Sequence, residues 1–176
     1  MKWISSGLLG GALLAGGCSD PPPEVPFAEL EERFHRKDDK EPFTGTAVTT
    51  GANGQTAFKA QYVDGQAHGL VTQWYANGKK QYEIAFRRGK QHGIERWWYS
   101  TGKRMTEASY KEGVMVEGTS WDPGGTPTGR VEKGDGILTA YHENGNRSIR
   151  TTFKNGTYVQ RETWNPDGTL VSTERP

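Results

Sequence analysis

The chain has few of the features that support chemistry at a reactive site. Its 176 residues include one cysteine, so no intrachain disulfide can form. The formal net charge is only +1, which leaves no excess of basic side chains to attract nucleic acid. There is no Gly-x-Ser-x-Gly nucleophile elbow, no glycine-rich phosphate loop leading into a helix, and no third metal ligand beside His68 and His92. We therefore expect a protein that is not an enzyme and has no cofactor, no metal and no nucleic-acid partner.

The one cysteine, Cys18, follows a segment with the layout of a secretory signal. Lys2 precedes an apolar run over residues 8–15, which is too short for a membrane-spanning helix of ~20 residues. The segment resembles a bacterial lipoprotein signal, in which the cysteine is acylated and becomes the mature N-terminus. By the same resemblance, Ser19 favours the outer membrane. We predict a signal peptide over residues 1–17, lipidation at Cys18 and a cell-envelope location, with an ordinary cleaved signal as the alternative.

Two short segments follow the cysteine. Residues 18–26 are rich in proline, which fixes φ and favours an extended spacer, so they are predicted to form a tether. In residues 27–40, Phe27, Leu30 and Phe34 fall on one helical face and charged residues fill the other. This pattern predicts an amphipathic helix that caps the first repeat. A membrane-surface helix is the alternative, which the acidic residues of the segment disfavour.

From residue 43 onward, glycines recur with gaps of 9, 11 and 4 residues, a period of 24. A fixed period of this size is typical of an array of small supersecondary units. Several of the glycines follow asparagine between alternating segments, which is typical of a β-hairpin with a type I′ turn. The predicted repeat glycines are Gly45, Gly54, Gly65, Gly69, Gly78, Gly89, Gly93, Gly102, Gly113, Gly136, Gly145 and Gly156.

Aromatic residues keep the same register as the glycines. Four residues before each hairpin glycine stand, with a single exception in the first unit, Trp74, Trp98, Trp121, Tyr141 and Trp164. The pattern predicts a mainly β fold: a single-layer, twisted antiparallel β-meander of about five to six hairpins over residues 43–176. We expect this aromatic set to fill the core face together with Tyr82, Ile84 and Phe86. The fourth unit is shorter than the others, so a bend is expected there.

The run WYANGKKQYEIAFRRGKQHG, from Trp74 to Gly93, resembles the bacterial variant of the MORN repeat that defines the YwqK-type, antitoxin-like family. The resemblance extends from about residue 43 to residue 173. It implies a twisted meander with a non-catalytic binding role and an association with toxin systems.

Tyr75, Trp97 and Tyr99 alternate with the predicted core aromatics and are therefore expected on the opposite, exposed face. We interpret them as a binding patch. The first hypothesis is a membrane-tethered lipoprotein whose sheet binds an unknown protein partner, with an antitoxin or immunity role as one form of this. The alternative is binding of glycan, such as peptidoglycan, through the exposed aromatic rings.

Overall fold

The computed structural model describes Pro42 and residues 44–176, and all of its described secondary structure is β. The predicted signal peptide (1–17), the lipidation site Cys18, the tether (18–26) and the helix (27–40) lie outside the described residues. Twelve strands occur in the described part: β1 (Gly45–Thr50), β2 (Thr56–Val63), β3 (Gln66–Trp74), β4 (Lys80–Arg87), β5 (Lys90–Trp98), β6 (Arg104–Lys111), β7 (Val114–Trp121), β8 (Pro127–Glu132), β9 (Asp135–Tyr141), β10 (Arg147–Lys154), β11 (Thr157–Trp164) and β12 (Leu170–Glu174).

The twelve strands form one antiparallel sheet in which every strand pairs with its neighbours in the sequence. The sheet is therefore a meander of six hairpins, β1–β2 to β11–β12, and the predicted fold class is confirmed. Eight of the twelve predicted repeat glycines lie in turns, with a positive φ that other residues rarely adopt. The other four, Gly45, Gly69, Gly93 and Gly136, lie within strands.

The six turns within the hairpins share one geometry. In the second hairpin, the amide of Tyr75 donates to the carbonyl of Lys79, and the amide of Gly78 donates back to the carbonyl of Tyr75. Only the glycine has positive φ, at 80°, which is the geometry of a type I turn followed by a glycine bulge. The type I′ turn predicted at Asn77-Gly78 is therefore wrong. The six turns begin at Gly51, Tyr75, Tyr99, Asp122, His142 and Asn165.

The asparagine before the glycine has a different role from the one predicted. The Asn77 side-chain oxygen accepts from the amide of Lys79 at 3.1 Å, and its amide group donates to the carbonyl of Ser100 in the next hairpin at 3.0 Å. Asn144 makes the matching pair of bonds, to its own turn and to Pro166. Asparagine thus ties successive turns together along one edge of the array.

Type I′ turns do occur, but they lie between the hairpins. Arg88 and Gly89 both have positive φ, at 50° and 74°, and they connect Arg87 directly to its partner Lys90. A two-residue loop with this backbone matches the twist of the flanking strands. The same turn recurs at Asp64-Gly65, Glu112-Gly113, Lys133-Gly134 and Asn155-Gly156.

Strand register separates the sheet into an inner face, which is buried, and an outer face. Val71 pairs with Ile84, and both side chains are buried. Because neighbours along a strand alternate, Trp74 lies on the outer face, where it pairs with Lys80. The prediction that Trp74 shares a face with Tyr82 is therefore wrong. The inner face includes Ala60, Val71, Ile84, Phe86, Trp97, Ala108, Val131 and Leu138.

The sheet bends sharply at the fourth hairpin, as the short unit predicted. Strand β9 pairs with β8 over only three positions. Beyond these, the amide of Thr139 donates to the hydroxyl oxygen of Ser120 on β7 at 3.0 Å. Gly129 of β8 permits this approach, because a Cβ there would lie 2.5 Å from the Ile137 carbonyl oxygen. The second half of β9 therefore crosses over the inner face of β7.

The bend brings distant hairpins into contact. The amide of Ser100, in the third hairpin, donates to Glu143 Oε1 in the fifth at 2.9 Å. Four strands separate these turns along the sheet, which is ~19 Å on a flat surface. Ala140 and Ile149 accordingly share one hydrophobic cluster with Trp97 and Tyr99. The folded-over sheet thus supplies its own core in the described part of the chain.

Candidate binding face

The predicted binding patch of Tyr75, Trp97 and Tyr99 does not form an exposed surface. Trp97 and Tyr99 are each only 1% exposed, and Tyr75 is half-buried. The placement of this patch on a solvent-exposed face is therefore wrong. The strand pairing of Trp97 with Tyr82 explains the error, because it brings the two rings together on the inner face, with centroids 4.7 Å apart.

The two tyrosines of that patch connect successive turns. The hydroxyl of Tyr75 donates to the carbonyl of Trp98 at 2.7 Å, and that of Tyr99 donates to the carbonyl of Trp121 at 2.8 Å. Burial raises the pKa of Tyr75 to about 12, with a further contribution from the nearby charge of Glu143. These hydroxyl groups are therefore neutral donors with a structural role.

His142 occupies the same turn position as the two tyrosines in the fifth hairpin. It is buried, and its Nε2 atom lies 2.9 Å from the carbonyl oxygen of Trp164. Its spacing from the hairpin glycine, three residues before Gly145, is the sequence signal for this role.

Glu95 is a buried carboxylate at the centre of the inner face. It is 1% exposed, and its two oxygens accept from Trp97 Nε1 and Gln91 Nε2, each at 2.6 Å. Burial raises the pKa of Glu95 to about 7, although both hydrogen bonds act in the opposite direction. Tyr110 lies close enough for the two acids to interact electrostatically. No sequence signal distinguished this glutamate from the exposed carboxylates.

The outer face carries a transverse row of charged and polar side chains, which we call the charged row. Strand pairing places its members side by side, in the order Lys59, Thr72, Glu83, Arg96, Glu107, Thr119 and Arg130. Arg96 Nε lies 2.7 Å from Glu107 Oε2, and Arg96 Nη1 lies 3.6 Å from Glu83 Oε1. Burial acts to raise the pKa of Glu107, but the hydrogen bond from Arg96 and the charge of Arg104 leave it lowered. The middle of the charged row is therefore ion-paired.

An aromatic row, Trp74, Trp98 and Trp121, runs beside the charged row, and all three residues are partly exposed. Two cations lie over the Trp98 ring: Lys80 Nζ at 5.9 Å and the Arg104 guanidinium at 5.6 Å from the ring centroid. In the last two hairpins, Arg147 lies over Trp164 in the same way, at 5.4 Å. Tyr141, which the sequence grouped with these tryptophans, packs against the inner cluster instead. The aromatic row thus offers partly accessible ring surface.

Aliphatic side chains on the other side of the charged row are exposed. Leu70 and Ile94, which are 24 residues apart, are 47% and 38% exposed. Val48 on β1 pairs with Lys59 at the end of the charged row and is 54% exposed. Leu70 and Ile94 lie on β3 and β5, with Ala85 of β4 between them, and exposed apolar side chains grouped on a sheet face are typical of a contact surface. The aliphatic, charged and aromatic rows together form the candidate binding face.

Two further properties bear on chemistry in the described residues. No group of three or more His, Cys, Asp or Glu side chains is close enough to hold a metal ion. Within the same residues, no helix has the length and hydropathy to span a membrane.

The hairpin geometry has a counterpart among known protein families. A family model described as the MORN repeat variant matches residues 67–87, 91–112 and 134–155. Three of the six hairpins therefore match the MORN repeat variant. These segments are the β3–β4, β5–β6 and β9–β10 hairpins. The other three hairpins share the same turn hydrogen bonds, so the hairpin geometry continues beyond the segments that match the family. MORN repeats indicate a repeat-based binding module.

Other known proteins add little. No curated protein matches the chain. Three chains of solved structures match, including one in a crystal structure described as the GtfA/B complex bound to UDP and GlcNAc. That match has 13% sequence identity and a TM-score of 0.26, and it covers 61% of this chain but only 22% of the other. The likeness is too distant to inform the function.

Proposed function

We propose that the protein is a non-catalytic binding protein, tethered to a bacterial membrane, whose outer face recognises another protein. The observation that carries the proposal is the exposure of Leu70 and Ile94 beside the charged row. Alternating Glu83, Arg96 and Glu107 give this surface a defined charge pattern, which favours specific over promiscuous contacts. A repeat sheet offers such a broad surface without a deep pocket.

Site-specific photo-crosslinking in cells tests this surface. A photoreactive amino acid is placed at Leu70 or Ile94, and at Val171 on β12 as the control, which is exposed at 58%. We expect discrete protein adducts from positions 70 and 94 and none from position 171. Absence of adducts at both outer-face positions, or identical adducts at all three, would contradict the proposal.

Tethering rests on the sequence around Cys18, which resembles a lipoprotein signal. More than one acyl chain would hold the protein firmly, because each buried CH₂ contributes ~0.8 kcal/mol. Replacing Cys18 with serine should release the protein into the soluble fraction. Membrane retention of the Cys18→Ser variant would refute the lipid anchor. An outer-membrane location, with the repeats on its periplasmic or external side, is the form that Ser19 favours.

An immunity role is the narrower form that the YwqK-type resemblance implies. The crosslinked partner would then be a toxin, and co-expression should protect cells from it. A partner that is not toxic when expressed alone would exclude this form while leaving protein binding intact.

Glycan binding is a second candidate, which the partly exposed ring of Trp74 favours. Sugar rings stack on accessible aromatic faces, and the charged row supplies hydrogen-bonding groups beside them. Binding to isolated cell wall, compared between the intact protein and the Trp74→Ala variant, tests this candidate.

A further inference from the structure

A groove on the outer face lies between strands β2 and β4, and we call it the Trp74 groove. It has a volume of about 250 Å³, and its lining residues are Lys59, Gln61, Leu70, Thr72, Trp74 and Lys80. Lys59 pairs directly with Thr72, and Trp74 pairs with Lys80, so two lysines and one tryptophan stand on adjacent strands around a small area. Hydrogen-bonding groups of Gln61 and Thr72 complete the lining.

Lys59 breaks the charge pattern of the repeats. Residues 24 and 48 positions further along the chain are Glu83 and Glu107, and both are ion-paired with Arg96. At the Lys59 position the charge is reversed, and its cross-strand neighbour is the uncharged Thr72. Within the described part of the chain, no carboxylate forms an ion pair with Lys59. The groove therefore presents a positive charge that a bound anion could neutralise.

The ring of Trp74 is also unusual among the outer-face tryptophans. Trp98 is covered by Lys80 and Arg104, whereas among the described residues no cation lies over Trp74. The cation over Trp98 comes from Lys80 of the preceding hairpin. The residue that would take this place over Trp74, 24 positions before Lys80, is Thr56, which is uncharged. The Trp74 ring is therefore available for stacking by a ligand.

We propose that the Trp74 groove binds a glycan that carries a carboxylate, such as a chain containing uronic acid. This inference rests on the glycan-binding candidate and names its ligand class and site. The Trp74 ring stacks on the apolar face of a sugar, and Lys59 pairs with the sugar carboxylate. Lys80 already bonds to Glu83 Oε2 at 2.5 Å, so it contributes a shared positive charge. Gln61 and Thr72 hydrogen-bond to hydroxyl groups of the sugar.

The chain contains an internal comparison for this proposal. A second outer-face groove, of about 160 Å³, is lined by residues that include Ile94, Glu107, Glu117, Arg130 and Glu132. It has no aromatic ring, and three carboxylates outnumber its one guanidinium group. A carboxylated glycan is repelled there, which restricts binding to the Trp74 groove.

Calorimetric titration of the full chain at low salt tests the proposal. The probes are tetragalacturonate, an alginate tetramer and a hyaluronan tetrasaccharide, and the matched control is the methyl ester of tetragalacturonate, which keeps the sugar rings and removes the charge. We expect saturable binding of at least one acidic probe, weakened by salt. The ester should bind several-fold more weakly, and Trp74 fluorescence should change on binding.

Four variants locate the site. Trp74→Ala should weaken binding roughly five- to tenfold, and Lys59→Gln roughly three- to fivefold. The controls are Trp98→Ala, because cations already cover that ring, and Lys111→Gln, because Lys111 lies outside the groove. The affinity of both variants should stay within about twofold of that of the unmodified protein. Circular dichroism and thermal melting confirm that each variant is folded before it is titrated.

The possible results separate the claims. No saturable binding of any acidic probe overturns the proposal and leaves protein binding on the outer face untouched. Equal affinity for the acid and its ester overturns the assigned ligand class, while glycan binding itself stands. Binding that is unchanged by both Trp74→Ala and Lys59→Gln overturns the assigned site.

Discussion

Truncation of the two adjacent tryptophans, Trp97 and Trp98, should have very different effects on stability. Trp97 is 1% exposed, packs on Tyr82, and donates to Glu95 Oε1 at 2.6 Å. Trp98 is partly exposed on the outer face, beneath Arg104 and Lys80. One position along the strand therefore separates a core residue from a surface residue.

The structure gives the magnitudes. Trp97→Ala removes a core aromatic, which costs about 3–5 kcal/mol, and leaves an oxygen of Glu95 without its donor, which adds about 1–3 kcal/mol. Trp98→Ala removes two exposed cation–π contacts of about 0.5–1 kcal/mol each, for a total of about 1–2 kcal/mol. At about 2–4 °C per kcal/mol for a chain of this size, Trp97→Ala should lower Tm by about 10 °C or more. Trp98→Ala should lower it by about 2–8 °C.

Urea denaturation and thermal melting, followed by circular dichroism at one pH for both variants, measure the difference. The fluorescence of the remaining tryptophans provides a second probe of the same transition. Equal losses for the two variants, or a larger loss for Trp98→Ala, would refute the assignment of the inner and outer faces. The aromatic row and the Trp74 groove would then be wrong as well.

Three further predictions follow from single contacts. Because burial raises the pKa of Glu95 from 4.5 to about 7, the folded chain retains a proton between these pH values that the unfolded chain releases. Stability should therefore fall as pH rises from about 4.5 to about 7. Urea titrations at pH 5 and pH 8 measure this loss, which should be smaller in the Glu95→Gln variant. An equal loss in the variant would contradict the prediction. Gly156→Ala should lower the free energy of unfolding by about 2–5 kcal/mol, because its Cβ would lie 2.5 Å from a β7 carbonyl oxygen. Gly145 also has positive φ, but its Cβ would meet open space, so Gly145→Ala should cost only about 1–2 kcal/mol in the same urea titrations. Tyr99→Phe removes the bond to the Trp121 carbonyl and should cost about 1 kcal/mol in thermal melts; no measurable loss would show that this bond is dispensable.

The glycine spacing was sufficient to predict the meander, an array of about five to six hairpins and the bend at the fourth unit. It could not give the turn type, because Asn-Gly suits both a type I′ turn and a type I turn with a glycine bulge. The structure chooses the second, in which Asn77 also bonds to the neighbouring turn. That contact joins residues 23 positions apart, so no local pattern could reveal it.

The faces of the sheet were predicted from hydrophobicity, and this failed where tryptophan is divided between them. Trp98 is as apolar as Trp97, but the register pairs it with Arg104 on the outer face. The charged row was missed for a related reason, since its members become neighbours only when strands pair. Its repeat spacing, Lys59 to Glu83 to Glu107, was nevertheless present in the sequence and could have indicated it.

The crossing of β9 over β7 also restricts how this array can change in evolution. Ser100 and Glu143 meet because a fixed number of residues separates their hairpins. A duplication or deletion of 24 residues between them would move Glu143 to the wrong place and separate Ala140 from Trp97. Recombination between similar repeats can therefore change the copy number of the hairpins that precede β5, whereas the section from β5 to β10 is constrained to keep its length.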